Sequence, residues 1–358
     1  MKIGLDLRTI NTNTYYFKFI YEFLSNLKDE SKENKFIIYT SSLNFYNFIE
    51  LSNFLDIKKV NTIAGSFSDQ FAGNKYFNEE NLDALIFFSY KRPYFYKKRN
   101  LIFLENLKEL LYPNYKSSFK KYFDLIIMKL SFGKTDKILG FSNEIISGLN
   151  EKLNIEENKI ALINPFFIKS RKNEDFIDIR MKYNITNDYI IYPGTYASNK
   201  NINRLFEAFS RIIKDDNKNI DLVFTDKNIG NIIEVRELIL RNGLQNKVKF
   251  LPDIKEEDLY FYYFESIGVI YPSLYESFPF ELSDAINFEK PIIASKIDNI
   301  KSVFGDLIEY FLPMSIGEIK NNILNLKNKD SKNNYNEIIK KYNPTNFINN
   351  LIKEITNF

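Results

Sequence analysis

The chain has 358 residues, with 49 basic and 46 acidic side chains and a net charge of +3, and it contains no cysteine, histidine or tryptophan. Disulfides, iron–sulfur ligation, thiol nucleophiles, Cys-built zinc sites, Ser-His-Asp triads and any imidazole base are therefore excluded. Its chemistry must run on carboxylates, lysines, hydroxyls and main-chain dipoles, with an oxygen-ligated metal still open, and the length suits about two domains.

The first residues, Met1-Lys2 followed by Ile3-Gly4-Leu5-Asp6-Leu7, read as a buried strand. No charged leader and apolar stretch precede it, and no run reaches the roughly 18 apolar residues of a membrane span. The expected location is the cytoplasm. Candidate strands follow at 35–40, 82–88, 100–104, 136–141 and 159–163, with helical periods between them. In the stretch 14–27, for example, Tyr16, Phe19, Ile20, Phe23, Leu24 and Leu27 share a face. A polar stretch from Lys169 to Asp175 reads as a linker. Strands are then predicted near 188–193, 220–225, 247–251, 267–271, 291–295 and 308–311, alternating with helices near 200–214, 230–242, 255–265 and 281–288. Helical patterns at 315–328 and 333–357 close the chain. Such alternation predicts an α/β protein of two Rossmann-like, doubly wound domains, 1–165 and 175–340. Residues 341–358 would form a terminal helix returning to the first domain. Facing domains of this kind bind ligands in the cleft at the carboxyl ends of their strands. The 12 glycines are spaced so that neither GxGxxG nor GxxxxGK can be written, which removes dinucleotide fingerprints and Walker loops.

One segment carries much more. Tyr271-Pro272-Ser273-Leu274-Tyr275-Glu276-Ser277-Phe278-Pro279-Phe280-Glu281-Leu282-Ser283-Asp284-Ala285, then Pro291-Ile292-Ile293-Ala294-Ser295, resembles the signature PSLYEGFGLPxLEAMACGxPVIAS of the family 4 retaining glycosyltransferases. Tyr192-Pro193-Gly194-Thr195 with Lys200-Asn201-Ile202 is similar to that family's YxGxxxxxKN block. Lys247 to Pro252, Asp136 to Ser142 and the opening Met1 to Arg8 resemble further blocks, in the same order. The resemblance implies a GT-B fold and transfer of a hexose from a UDP- or GDP-sugar, with retention and without a catalytic metal or other cofactor. The implied acceptor is a glycan or lipid-linked glycan in polysaccharide or lipopolysaccharide assembly. It further implies that Glu276 holds donor-sugar hydroxyls, Asp284 the ribose and Lys200 the pyrophosphate. Gly194, Thr195, Ser277, Phe278, Phe280 and Glu281 fall on the donor side.

Elementary chemistry fits these roles and also simpler ones. A loop after the strand at 267–271 delivers Glu276, and a helix starting near Glu281 would aim its N–H groups at a diphosphate. Equally, Glu276 reads as a loop acid, Asp284 as a first-turn acid, Lys200 as a surface lysine and Gly194 as a packing glycine. Four places depart from the family. Ser277 and Pro279 replace glycines, and Pro279 has no N–H to offer. Asn199 stands for an arginine, residues 11–15 lack a glycine, and Glu105-Asn106 stand for His-Asp. Glu105 reads as a sugar-contacting acid or a strand-end carboxylate. The alternative to an enzyme is a non-catalytic nucleotide-sugar or glycan-binding relative.

Residues 91–137 hold 12 basic and 4 acidic side chains, a local net of +8 that leaves −5 for the rest. Tyr115, Phe119, Tyr122, Phe123, Ile126 and Leu130 recur at helical spacing, with Lys116, Lys120, Lys121 and Lys129 on other faces. Together with Arg92 to Arg99, this suits an anionic membrane surface at the inner face of the cytoplasmic membrane, or a core-packing helix with a solvated lysine face. No binding module supports nucleic acid.

Overall fold

The computed structural model describes all residues except 12, 13, 31, 32, 42–44, 65, 67, 70–73, 108–117, 171–176, 217, 226–231, 252–254, 327–333 and 358, and except the side chains of 29, 30, 45–47, 49, 118–124, 232, 256 and 257. The chain divides into two units, Met1–Phe166 with Tyr342–Phe358, and Phe167–Lys341.

In the first unit β1 (Lys2–Asp6), β2 (Lys35–Ser41), β3 (Asp56–Val60), β4 (Ala84–Phe87), β5 (Asn100–Leu104), β6 (Lys137–Gly140) and β7 (Ile160–Leu162) form a sheet ordered β3-β2-β1-β4-β5-β6-β7. Every described pairing is parallel. A parallel sheet is covered on both faces, so β4 and β5 are buried along their whole lengths and read as continuous apolar runs. The edge strand β3, Asp-Ile-Lys-Lys-Val, buries only Val60, and its lysines discourage pairing by another edge. The predicted strands omit it because it has no apolar run.

Helix α1 (Tyr15–Glu30) buries the stripe read from the sequence. Among the other helices of this unit are α2 (Asn74–Asn78), α3 (Ser118–Gly133) and α4 (Asn143–Leu153). On α3 the structure corrects the expected core stripe: Ile126 and Leu130 are exposed, whereas Met128 and Phe132 are buried. Tyr115 and Lys116 lie outside the described residues, as do the side chains of Phe119, Lys120, Lys121, Tyr122 and Phe123.

The second unit carries α5 (Ile179–Lys182), β8 (Asp188–Tyr192), α6 (Ile202–Asp215), β9 (Ile220–Phe224), α7 (Ile232–Asn242), β10 (Val248–Phe250), α8 (Glu256–Glu265), β11 (Gly268–Tyr271), α9 (Ser283–Asn287), β12 (Ile292–Ser295), α10 (Asp298–Phe304), β13 (Glu309–Phe311), α11 (Ile316–Leu326) and α12 (Asn336–Lys341). Its sheet is ordered β10-β9-β8-β11-β12-β13, again with parallel pairings. The chain runs outward from β8 to β10 and then returns to β11 on the other side of β8. Loops leaving β8 and β11 therefore part company, the topological position where doubly wound sheets bind ligands. Helix α6 packs Ile202, Leu205, Phe206, Phe209 and Ile212 on this sheet at 3.6-residue spacing.

Two helical expectations change. The helix expected at 281–288 is a tight turn, Phe280–Leu282, followed by the five-residue α9. So short a helix sums few peptide dipoles and offers little to a diphosphate. The helix expected at 333–357 is broken into α12 and α13 (Pro344–Thr356). Proline lacks the N–H that a helix interior needs but suits a first turn, where the Asn343 side chain accepts from Asn346 N. Helix α13 belongs to the first unit, where the Phe347 ring lies 5.3 Å from both Phe19 and Phe23. No helix among the described residues is long and apolar enough to cross a membrane.

Candidate active site

At the switch point of the second sheet, two loops bring opposite charges together. Lys200 ends a tight turn, Ser198–Lys200, between β8 and α6, and its amide donates to Ala197 O at 2.9 Å. Glu276 and Glu281 lie on the loop after β11, and Tyr271 is the last residue of that strand. Lys200 Nζ donates to Glu276 Oε1 at 2.6 Å, to Glu281 Oε1 at 2.5 Å and to the Tyr271 hydroxyl at 3.1 Å. The Tyr271 hydroxyl in turn donates to Glu281 Oε2 at 2.7 Å. Lys200 is only 4% exposed and Glu276 6%.

Burial by itself would discharge these groups. It pulls the Lys200 ammonium down, but the charges and hydrogen bonds of Glu276 and Glu281 outweigh it and raise the lysine above its ordinary value. Burial pushes the Glu281 carboxyl up, and Lys200 with Tyr271 brings it below its ordinary value. Burial and the two carboxylates push the Tyr271 phenol well up, which keeps it a donor. The result is one positive charge fixed between two negative ones.

The peptide around Glu276 is gripped from both sides. Asn199 Nδ2 donates to Tyr275 O at 3.1 Å, Asn299 Nδ2 to Glu276 O at 2.7 Å, and Leu274 N to Asn199 O at 2.7 Å. Asn199, in place of the family's arginine, thus ties the β8 loop to the β11 loop instead of bringing charge.

Asp284 sits in the first turn of α9, and Ser170 Oγ donates to its Oδ1 at 2.5 Å. The segment carrying Ser170 is fastened beside it, Ile168 N donating to Ser283 Oγ at 3.1 Å and Asn287 Nδ2 to Ile168 O at 2.9 Å. Phe278 and Phe280 are buried and meet edge to face at 4.9 Å, and Phe278 also meets Phe167 at 4.7 Å. They pack the loop. Ser277 is 9% exposed and Thr195 half-buried. A Cβ on Gly194 would stand 2.5 Å from the Tyr192 hydroxyl, which donates to Thr195 O at 2.9 Å, so a larger residue here would have to displace the tyrosine ring and its hydrogen bond. Glu105 follows β5 in the first unit, half-buried. Its charge adds to the burial that raises the Tyr16 phenol. Among the described residues, no three Asp or Glu side chains gather as a metal site needs.

Three members of the site had no role in the sequence reading. Tyr271 carried a signal, since a tyrosine ending the buried strand Gly-Val-Ile-Tyr needs a partner for its hydroxyl. Asn299 had none, because α10 shows no clear apolar period. Ser170 lay within the presumed linker.

Residues 175–343 match the family described as Glycosyl transferases group 1. That stretch is a little under half of the chain. It is 24% identical over 162 residues to O-antigen chain mannosyltransferase B of Escherichia coli, a match covering 45% of this chain and 42% of that one. It is 21% identical over 246 residues to O-antigen chain mannosyltransferase RfbU of Salmonella typhimurium, covering 68% of this chain and 66% of that one. The matches thus span less than two thirds of these relatives' lengths. The structure of Anabaena Alr3699/HepE in complex with UDP-glucose superposes with a TM-score of 0.77 at 14% identity, covering 100% of both chains. The fold is GT-B, and the charge cluster, Asp284 and Gly194 all lie within the stretch that matches the family.

Proposed function

We propose that this chain moves a hexose from a nucleotide diphosphosugar to a glycan or lipid-linked glycan acceptor, with retention at the anomeric carbon. The meeting of Lys200 and Glu276 at the β8/β11 switch point, close to Asp284 in sequence and inside the family's stretch, supports this best. In this reading Glu276 accepts from sugar hydroxyls, Asp284 from the ribose diol, and Lys200 faces the diphosphate. The bond from C1 to the diphosphate oxygen breaks, and the acceptor oxygen bonds to C1 on the same face. The departing phosphate takes the acceptor's proton, and the nucleoside diphosphate leaves. No imidazole is needed, and no metal is invoked. The mannosyltransferase relatives make GDP-mannose the first donor to try, and the UDP-glucose complex of the Anabaena protein makes UDP-glucose the second.

The test is release of nucleoside diphosphate from each donor with a lipid-linked oligosaccharide acceptor, with and without EDTA. Turnover is expected to survive EDTA and to fall about 10- to 150-fold in Glu276→Gln, the value of one charged hydrogen bond. Nucleotide binding without turnover on any common donor would instead favour the non-catalytic relative.

For the first unit we propose docking on an anionic membrane surface, at the inner face of the cytoplasmic membrane. Tyr94, Phe95, Ile126 and Leu130 are 39–50% exposed, with Lys97, Lys129 and Lys134 exposed among them, in the region of net charge +8. Lys134 Nζ lies 5.5 Å from the Tyr94 ring centre, which links the loop to the end of α3. Apolar side chains in a cationic field match a bilayer of anionic headgroups. Co-sedimentation with phosphatidylglycerol vesicles, weakened by salt and by Ile126→Glu, is expected. Equal binding to phosphatidylcholine, or a preference for nucleic acid, would refute it.

A further inference from the structure

A lysine ammonium has three N–H donors, and three acceptors already surround that of Lys200: Glu276 Oε1 at 2.6 Å, Glu281 Oε1 at 2.5 Å and the Tyr271 hydroxyl at 3.1 Å. A phosphate oxygen can gain this cation only by taking the place of one of them. Displacing Tyr271 would leave two carboxylates and a phosphate on one nitrogen, three like charges within a few ångströms in a buried site. Displacing Glu276 would move the carboxylate assigned to the sugar, whose peptide is held by Asn199 and Asn299. Glu281 is the one that can yield. Its side chain is the more exposed of the two, 14% against 8%, and its second oxygen is independently held by the Tyr271 hydroxyl at 2.7 Å. In the signature quoted above, the place of Glu281 is a proline, so the carboxylate departs from that signature.

We propose that Glu281 is a positioning residue that competes with the donor's diphosphate for Lys200 and so sets how tightly the site holds a nucleoside diphosphate. This rests on reading the site as the donor pocket. The competition weakens the hold on any ligand in proportion to the phosphate charge brought near Lys200, and it favours departure of the nucleoside diphosphate once the sugar has been transferred.

The experiment is calorimetric titration of the full chain with guanosine, GMP and GDP, and with uridine, UMP and UDP, for the wild type, Glu281→Gln and Glu281→Asp. Glu281→Gln is expected to bind the diphosphate that the wild type prefers about tenfold more tightly, the monophosphate with a smaller gain and the nucleoside unchanged. Glu281→Asp keeps the charge and should fold even where the glutamine variant does not. It withdraws the carboxylate by one methylene, and a gain of two- to fivefold is expected. A diphosphate affinity in both variants equal to or weaker than that of the wild type overturns the proposal, as does a gain equal for nucleoside and diphosphate, which would report loosening of the pocket. If the wild type binds none of these nucleotides, the donor-pocket reading itself fails and takes this proposal with it. If the wild type binds them and the variants bind no better, only the role of Glu281 fails.

Discussion

Replacing Lys200 by methionine tests the charge cluster directly. The substitution nearly conserves volume but leaves Glu276 and Glu281 facing each other in a site where the lysine side chain is 5% exposed. Removing one partner of a buried ion pair costs about 3–5 kcal/mol, because the remaining charge is uncompensated. Two charge-assisted bonds at about 1.5–3 kcal/mol each give a similar figure. The loss should depend on pH in a defined sense. In the wild type Glu281 lies below its ordinary value and Lys200 above its own, so neither titrates between pH 5 and 8 and their contribution is constant there. In the variant a carboxyl without its cation has a folded pKa above the unfolded value of about 4.3. Its penalty is absent below that value and grows as pH rises towards the folded pKa. A rise of two to three units corresponds to about 3–4 kcal/mol at pH 8 and about 1 kcal/mol near pH 5. Urea unfolding read by hydrogen exchange and mass spectrometry separates peptides of the second unit from those of the first. A loss below about 1 kcal/mol at pH 8, or one equal at pH 5 and 8, would show that Lys200 does not hold the two carboxylates.

In the first unit Arg8 plays a comparable part. Its side chain, 1% exposed, donates from Nε and Nη2 to Asp6 at 2.8 Å each and also pairs with Asp69. Arg8→Met is expected to cost about 3–5 kcal/mol, read in exchange of first-unit peptides with second-unit peptides unchanged. Two glycines should respond in opposite directions. A Cβ at Gly268 would stand 2.9 Å from the Pro291 carbonyl oxygen, itself fixed by Val269 N, so Gly268→Ala should lose about 1–3 kcal/mol by overpacking. Gly317 in α11 has open space around it, and Gly317→Ala should gain up to about 1 kcal/mol. Thermal melts of the two variants check both signs.

The fold was legible wherever burial wrote a pattern. Strands such as β4, β5, β8 and β11 lie inside parallel sheets and appear as short apolar runs, while α1 and α6 repeat apolar residues every 3.6 positions. Where burial was one-sided or brief, the sequence was silent. The edge strand β3 has three polar residues out of five, and α10, seven residues long, is too short to establish a period. The acids of the candidate site were visible through the resemblance of the segment around Glu276 and Asp284 to a family signature, but the pairing of Glu281 with Lys200 was not. It joins residues 81 apart in sequence, and it depends on β8 and β11 being neighbours although β9 and β10 come between them in the chain. Sheet order decides that contact, and no local pattern encodes it. On α3 the apolar stripe was visible while its direction was not, because periodicity identifies a face without saying whether protein or something else covers it.

The same cluster connects the missing histidines to a kinetic expectation. Bell-shaped pH profiles arise when an essential acid or base titrates within the range measured. Here the chain has no imidazole, Lys200 is raised above its ordinary value, and Glu281 is lowered below its own. In the free chain the charges of Lys200 and Glu281 are therefore constant from about pH 5.5 to 9, the interval between ordinary carboxylate and lysine values. If the departing phosphate takes the acceptor's proton, no protein group need titrate for transfer, and kcat/KM, which reports the free enzyme, should stay flat across that interval. A limb near neutral pH that moves when Glu105 is replaced by glutamine would place a protein base in the reaction and refute proton transfer to the leaving phosphate. A limb in kcat that moves with Glu281→Gln would instead report the carboxylate that the diphosphate displaces from Lys200. The flat kcat/KM profile is thus the kinetic counterpart of a free chain in which the ammonium's three protons all have carboxylate or phenol partners.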